Sequence, residues 1–167
     1  KYKISSSISS QYSEEISKAV YYQNQKTGIP IYIIMSLIDT ESEFVSSADS
    51  FIGASNGRGL TQISEIALYE YNRYHKNQYT SQDLYNIDIN LEIGCWMLLQ
   101  VKKVYPKIVG IEQLSWNDAY IAYNVGWTHY INYKEDYYNG YDVVHHKKYS
   151  ALNRWKSKLS YWSTKFT

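Results

Sequence analysis

The chain has 167 residues, of which 44% are hydrophobic and 20% charged, a composition that predicts a packed globular domain and excludes an intrinsically disordered chain. Its 17 basic and 16 acidic side chains are scattered and give a net charge of +1, so no basic surface for a nucleic acid is indicated. The single cysteine, Cys95, excludes a disulfide within this sequence, and no window approaches the roughly 20 apolar residues of a membrane span.

The first part of the chain predicts two helices and a loop. Apolar residues recur at helical spacing up to Gly28, which ends the first helix. Pro30 suits the first turn of a second helix that is apolar on almost every side, so we expect this helix to be central and buried. Residues 45–59 are rich in Ser, Asp, Asn and Gly and predict an irregular loop. The expected face of the first helix consists of Tyr12, Ile16, Ala19, Val20 and Gln23.

Further helices follow in the second part. Ser64 is a suitable cap for a third helix, and a fourth runs at three-to-four spacing until Pro106 stops it. Ser115 with Asp118 resembles a capping box that opens a fifth helix, and residues 152–162 predict an amphipathic last helix. Strand alternation is weak, with the turn signal Asn139-Gly140 marking one candidate short hairpin. The sequence therefore predicts a mostly α-helical fold, as one domain over residues 1–167.

A candidate acid ends the most apolar helix. Residues 39–44 read Asp-Thr-Glu-Ser-Glu-Phe, and Glu41 comes three and four residues after Ile38 and Leu37. Partial desolvation and the negative end of the helix dipole both disfavour a charged carboxylate, so we expect the pKa of Glu41 to be raised. A carboxyl group that stays protonated near neutral pH is a suitable general acid. The competing interpretation is a glutamate that simply ends a helix at the surface.

Several short motifs follow Glu41 in a fixed order. They are Glu41-Ser42, then Ser50, Gly53-Ala54-Ser55, Gly59-Leu60-Thr61-Gln62-Ile63 and Ala122-Tyr123-Asn124-Val125-Gly126, with Asn86-Ile87-Asp88-Ile89-Asn90 and Gly94 before the last of these. This order resembles the lytic transglycosylase family, whose fold is related to goose-type lysozyme. The resemblance runs from about Ile29 to Gly126 and implies a lysozyme-like helical domain with a substrate groove.

The resemblance implies roles for individual residues. Glu41 is then the catalytic acid and base, and the hydroxyl of Tyr123 positions its carboxylate. Ser42 supports the site. For Gln62 and Asn124 the competing interpretation is a polar side chain that caps a helix or ties down a loop. The residues expected to bind substrate are Ser42, Ser50, Gln62 and Asn124.

Three positions depart from the family pattern. Thr61 stands where a methionine is usual, which we expect to change a hydrophobic contact in the groove. The glycine loop is longer by residues 56–58, which bears on the spacing from Ser50 to Gln62. Trp127 follows the last motif, where Pro or Gly is common.

The number of carboxylates near Glu41 decides between two reactions. Most glycosidases use two carboxylates across the scissile bond. Asp39 and Glu43 lie two residues from Glu41 and should point elsewhere on a helix, whereas Asp49 in the loop remains a candidate. With one acid, the resemblance implies cleavage of the MurNAc–GlcNAc β-1,4 bond of peptidoglycan with closure of a 1,6-anhydro ring. The alternatives are a goose-lysozyme-like hydrolase in which Asp49 holds a water, and a peptidoglycan-binding module without turnover.

The resemblance also implies partners and a location. We expect peptidoglycan glycan strands as the partner, no metal or cofactor, and a monomeric domain that serves as one module of a larger wall-spanning assembly. His145 and His146 are adjacent and make a poor metal pair. Residues 1–10 are too polar for a signal peptide. Because peptidoglycan lies outside the cytoplasm, we expect an extracellular or cell-wall-associated protein, exported or tethered through a segment outside this chain.

Overall fold

The computed structural model describes residues 10–52, 55–143 and 145–166 and is mostly helical, as the sequence predicts. Two compact units divide the chain between Trp96 and Met97. The expectation of a single domain over residues 1–167 stays a prediction. None of the helices in the described residues combines the length and the apolar character that a membrane span requires.

The helical elements of the first unit are α1 (Ser10–Thr27), α2 (Ile31–Glu41), α3 (Glu65–His75), a short 3-10 helix (Ser81–Tyr85) and α4 (Ile87–Leu99), whose last residues belong to the second unit. Helix α2 forms the centre of this unit, because every residue from Ile33 to Ile38 is buried. Gly28 ends α1 with a φ of +71°, a conformation that glycine adopts without strain. The Ser64 hydroxyl caps α3 by accepting from the backbone N–H of Ala67 at 3.2 Å. These sequence predictions are confirmed.

A β-hairpin occupies the segment that the sequence predicts to be an irregular loop. Strand β1 (Asp49–Ile52) pairs antiparallel with β2 (Ser55–Arg58), and Ser50 lies opposite Gly57. The prediction of a loop is therefore wrong for these two strands and is confirmed for residues 45–48, and the additional residues 56–58 belong to β2. Ser, Asn and Gly have low strand propensity and give no hydrophobic alternation, so this hairpin depends on backbone pairing that periodicity does not reveal.

The prediction that Pro106 stops the fourth helix is also wrong. After α4, the backbone continues as a π-helical segment (Gln100–Val104) and then as α5 (Tyr105–Ile108), which contains the proline. A proline lacks the N–H that an α-helix interior requires, but it is tolerated in the first turn of a helix. The π segment changes the hydrogen-bond register just before Pro106, so the chain stays helical through it.

The second unit contains α6 (Trp116–Val125), α7 (Trp127–Tyr138), strands β3 (Tyr141–Asp142) and β4 (Lys147–Lys148), and α8 (Ala151–Phe166). The Ser115 hydroxyl caps α6, since it accepts from the N–H of Asp118 at 3.1 Å, as predicted. The short hairpin formed by β3 and β4 begins one residue after the predicted turn Asn139-Gly140. Helix α7 was not predicted, because its buried residues are tyrosines rather than a stripe of aliphatic side chains.

Candidate active site

Glu41 is the last residue of α2. The helix ends here because the N–H of Ser42 makes the final helical bond, to the carbonyl of Ile38 at 2.9 Å, and Ser42 then leaves the helical conformation. The Glu41 side chain is half-buried, and its carboxylate oxygen Oε1 is shielded from solvent. A buried, apolar helix therefore places one oxygen of the carboxyl group away from solvent, while the side chain as a whole stays partly exposed.

Ser42 connects the end of α2 to the Gly59-Leu60-Thr61-Gln62-Ile63 motif. Its side chain is buried, and its hydroxyl donates to the carbonyl of Leu60 at 2.8 Å. The residues are far apart in sequence, so this bond fixes the motif beside the catalytic candidate. The structure thus gives Ser42 a supporting contact to the protein, and its contact with substrate stays a prediction.

The motif itself is a tight turn. The N–H of Gly59 donates to the carbonyl of Ala48 at 2.8 Å. Arg58 and Ile63 form an isolated antiparallel β-bridge, in which each backbone N–H donates to the carbonyl of the other residue. Gln62 has a φ of +54°, a left-handed conformation that costs energy for a residue with a side chain. Its side-chain nitrogen donates to the carbonyls of Ala48 (3.1 Å) and Gly59 (2.9 Å), which holds the turn closed.

Ser50 and Gln62, two of the predicted substrate-binding residues, lie together at Gly57. A Cβ atom added to Gly57 would lie 2.9 Å from both the Ser50 hydroxyl and the Gln62 side-chain oxygen. The glycine therefore leaves room for both polar atoms at one point of the hairpin surface. The hairpin that was not predicted from the sequence is the element that brings them together.

Thr61 does not face an open groove. It is fully buried, and its hydroxyl donates to the side-chain oxygen of Asn90 at 2.8 Å. The side-chain nitrogen of Asn90 in turn donates to the carbonyls of Arg58 (2.9 Å) and Leu84 (2.8 Å). Gly94 permits this arrangement, since a Cβ there would lie 2.4 Å from the Thr61 hydroxyl. The expected change to a groove contact is therefore wrong, and the position is structural.

The second candidate carboxylate, Asp49, is occupied by protein contacts. The Tyr85 hydroxyl donates to its Oδ1 at 2.6 Å, and the guanidinium Nε of Arg58 lies 3.9 Å from the same oxygen. This hydrogen bond to Asp49 raises the pKa of Tyr85. Since successive side chains of a strand point to opposite faces, Asp49 faces away from the side of β1 that carries Ser50.

Tyr123 and Asn124 are neighbours near the end of α6, in the second unit. Tyr123 is half-buried and Asn124 is exposed. The hydroxyl of Tyr149 donates to the side-chain oxygen of Asn124 at 3.3 Å. Sequence reasoning missed Tyr149, since nothing distinguishes it among the 20 tyrosines of the chain. The catalytic and binding roles of Tyr123 and Asn124 stay predictions.

The remaining reactive side chains have structural contacts. Cys95 is fully buried, and burial raises the pKa of its thiol to about 12, so it is no nucleophile at neutral pH. The His145 ring lies 2.9 Å from the carboxylate of Asp142. Among residues 10–52, 55–143 and 145–166, no group of three or more His, Cys, Asp or Glu side chains is placed to hold a metal ion.

Comparison with known proteins identifies the family. The family model described as transglycosylase SLT domain matches residues 18–143, from α1 to just past β3. The match covers all of the motifs quoted above and extends beyond Gly126, through α7. No curated protein matches the chain. The chain therefore belongs to the transglycosylase SLT domain family, whose members are transglycosylase-type enzymes that act on peptidoglycan.

Proposed function

We propose that this protein is a lytic transglycosylase that cleaves the MurNAc–GlcNAc β-1,4 bond of peptidoglycan and leaves 1,6-anhydro-MurNAc ends. Glu41 donates a proton to the glycosidic oxygen as the bond breaks. The acetamido group of MurNAc stabilises the cationic anomeric carbon. The ionised Glu41 then removes a proton from the C6 hydroxyl of the same sugar, whose oxygen closes the 1,6-anhydro ring. Glu41 ends each cycle protonated, and no water is consumed.

The observation that carries this proposal is the position of Glu41. Its Oε1 atom is shielded from solvent at the end of a helix that is buried from Ile33 to Ile38. An environment with little water disfavours the charged form of a carboxyl group and so favours the proton donor. The hydrogen bond from Ser42 to Leu60 keeps the end of the helix, and with it Glu41, beside the glycine motif.

The contacts of Asp49 support ring closure rather than hydrolysis. A hydrolase needs a second carboxylate that attacks the sugar or activates a water. Asp49 already accepts a 2.6 Å hydrogen bond from Tyr85 and lies beside Arg58. Glu43 is exposed and lies beyond the end of α2, with a φ of +51°. An internal hydroxyl needs no such partner, because it is already tethered to the reacting sugar.

Several polar side chains are proposed to bind the glycan. Ser50 and Gln62 present hydroxyl and amide oxygens at one point of the β1–β2 hairpin. Asn124 is exposed at the end of α6, one residue after Tyr123, which we propose holds the Glu41 carboxylate through its hydroxyl. Because the substrate lies outside the cytoplasm, we propose that the protein acts outside the cell or in the wall, as a monomeric module of a wall-spanning assembly.

Replacing Glu41 tests the assignment of the acid. Glu41→Gln keeps the shape of the side chain but supplies no proton, so we expect digestion of purified peptidoglycan to slow by at least ~10²-fold with the melting temperature retained. Glu43→Gln is the matched control, since it makes the same change two residues away on an exposed side chain, and it should keep most activity. A folded Glu41→Gln variant that digests peptidoglycan near the unmodified rate would show that Glu41 is not the acid.

A further inference from the structure

The C-terminal segment of the second unit is joined to one face of α6 by two side-chain hydrogen bonds. The indole N–H of Trp155 donates to the side-chain oxygen of Asn117 at 3.0 Å, and the Tyr149 hydroxyl donates to that of Asn124 at 3.3 Å. Asn117 and Asn124 are seven residues apart, so they lie on the same face two turns from each other. Between them, the Tyr120 ring stacks on Trp155 with centroids 4.6 Å apart and planes inclined by 2°.

Tyr149 itself is held firmly. Its side chain is 5% exposed, and its backbone N–H donates to the carbonyl of Gly140 at 2.7 Å. Its ring meets the buried Tyr137 ring edge to face, with centroids 4.7 Å apart. The turn between β3 and β4 is stabilised by Asp142, which accepts from the N–H of His145 at 3.1 Å and lies 2.9 Å from its ring. The phenol therefore has a fixed place from which to contact α6.

Asn124 is exposed, so its amide group would otherwise rotate in solvent. The oxygen and nitrogen of an amide are bonded to the same planar carbon and point in different directions. When the oxygen is held by a buried phenol, the two N–H donors of the nitrogen point away from Tyr149. We propose that Tyr149 is a positioning residue, which orients Asn124 so that its amide N–H groups meet an oxygen acceptor of the glycan strand. This inference rests on the proposed place of Asn124 in the binding groove.

The length of the bond sets the size of the expected effect. An oxygen-to-oxygen distance of 3.3 Å is long for an O–H···O hydrogen bond, so its contribution to folding is small. The bond is expected to help binding because the Asn124 amide is already ordered before the glycan binds. The entropy lost on binding is then smaller. Removing the hydroxyl should therefore weaken glycan binding about two- to fivefold, the range of one modest hydrogen bond.

A double-mutant cycle tests the inference. Dissociation constants for a soluble, uncross-linked GlcNAc–MurNAc oligosaccharide are measured by calorimetry in the Glu41→Gln background, alone and with Asn124→Ala, Tyr149→Phe or both. We expect Tyr149→Phe to weaken binding about two- to fivefold when Asn124 is present and to have no effect in the Asn124→Ala variant. Tyr149→Phe keeps the ring that packs on Tyr137, so the melting temperature should stay close to that of the parent.

The matched control is Tyr141→Phe, which removes the same hydroxyl from a tyrosine of β3, whereas Tyr149 directly follows β4. The Tyr141 side chain is 42% exposed and its hydroxyl lies 3.4 Å from the His146 ring, so binding should not change. Equal weakening by Tyr149→Phe with and without Asn124 would overturn the inference, because Tyr149 would then act independently of Asn124. Unchanged binding in Tyr149→Phe would overturn it as well.

The same cycle separates failure of this inference from failure of the proposed function. If Asn124→Ala alone leaves binding unchanged, both the groove role of Asn124 and the positioning role of Tyr149 are wrong, while the acid role of Glu41 is judged by its own activity measurement. If Asn124→Ala weakens binding and Tyr149→Phe does not, Asn124 keeps its place in the groove and only the positioning role falls.

Discussion

At the scale of single residues, the proposal depends on how the Glu41 carboxyl is held. Glu41 ends a buried helix, and Ser42 is anchored to Leu60. The apolar run before Glu41 is visible in the sequence, so both the burial of the helix and the position of Glu41 at its end could be predicted. The partner of Ser42 could not, because a hydrogen bond between residues so far apart in sequence depends on tertiary packing.

Replacement of Tyr123 tests its proposed role in positioning Glu41. Tyr123→Phe removes one oxygen from a half-buried ring, so stability should change by about 1 kcal/mol or less. Since the hydroxyl is proposed to act on the catalytic carboxyl, kcat on soluble glycan strands should fall clearly more than KM rises. Tyr133→Phe, at an exposed tyrosine of α7, is the control and should leave both constants unchanged. Weaker binding with unchanged turnover would instead make Tyr123 a residue of the groove.

At the scale of elements, hydrophobic periodicity predicted helices with aliphatic or mixed apolar stripes, including α8 with its two buried tryptophans. Helices α1, α2 and α3 lie where the sequence places them. Helix α7 and the β1–β2 hairpin were missed because tyrosines and small polar residues give no clear period. The hairpin is held in place by the Gly59–Ile63 turn that follows it. Backbone N–H groups of this turn donate to Ala48, Arg58 and Asn90.

Two glycines test whether that turn depends on close packing or only on backbone conformation. Gly59 and Gly110 have φ values of +75° and +77°, so a Cβ strains both backbones alike, by about 1 kcal/mol. At Gly59 the Cβ would also lie 2.2 Å from the Leu84 carbonyl and 2.3 Å from the Asn90 side chain, whereas Gly110 has open space around it. Overpacking adds about 1–3 kcal/mol at Gly59 alone.

We therefore expect Gly59→Ala to lower the free energy of unfolding by about 2–4 kcal/mol and Gly110→Ala by about 1 kcal/mol. Chemical denaturation of the two variants measures the difference directly. Equal losses would mean that the turn relaxes around the added methyl group and that Asn90 does not fix it.

At the scale of the whole molecule, the order of the motifs predicted more than any one element did. The family match over residues 18–143 confirms the lytic transglycosylase resemblance that these motifs carry. Residues after Gly126 carry none of the motifs, so the contact of Tyr149 with Asn124 could be found only from the structure. The motifs indicate the class of reaction. The contacts of Asp49 bear on whether the product carries a 1,6-anhydro end or a reducing end.

The chemical nature of the released ends distinguishes ring closure from hydrolysis directly. Purified peptidoglycan is digested with the unmodified protein, and the soluble fragments are analysed by mass before and after borohydride reduction. Since the C6 hydroxyl replaces water, each new MurNAc end should be lighter by one water than a reducing end and inert to borohydride. Mostly reducible MurNAc ends would show hydrolysis in place of ring closure and would rule out the proposed lytic transglycosylase reaction.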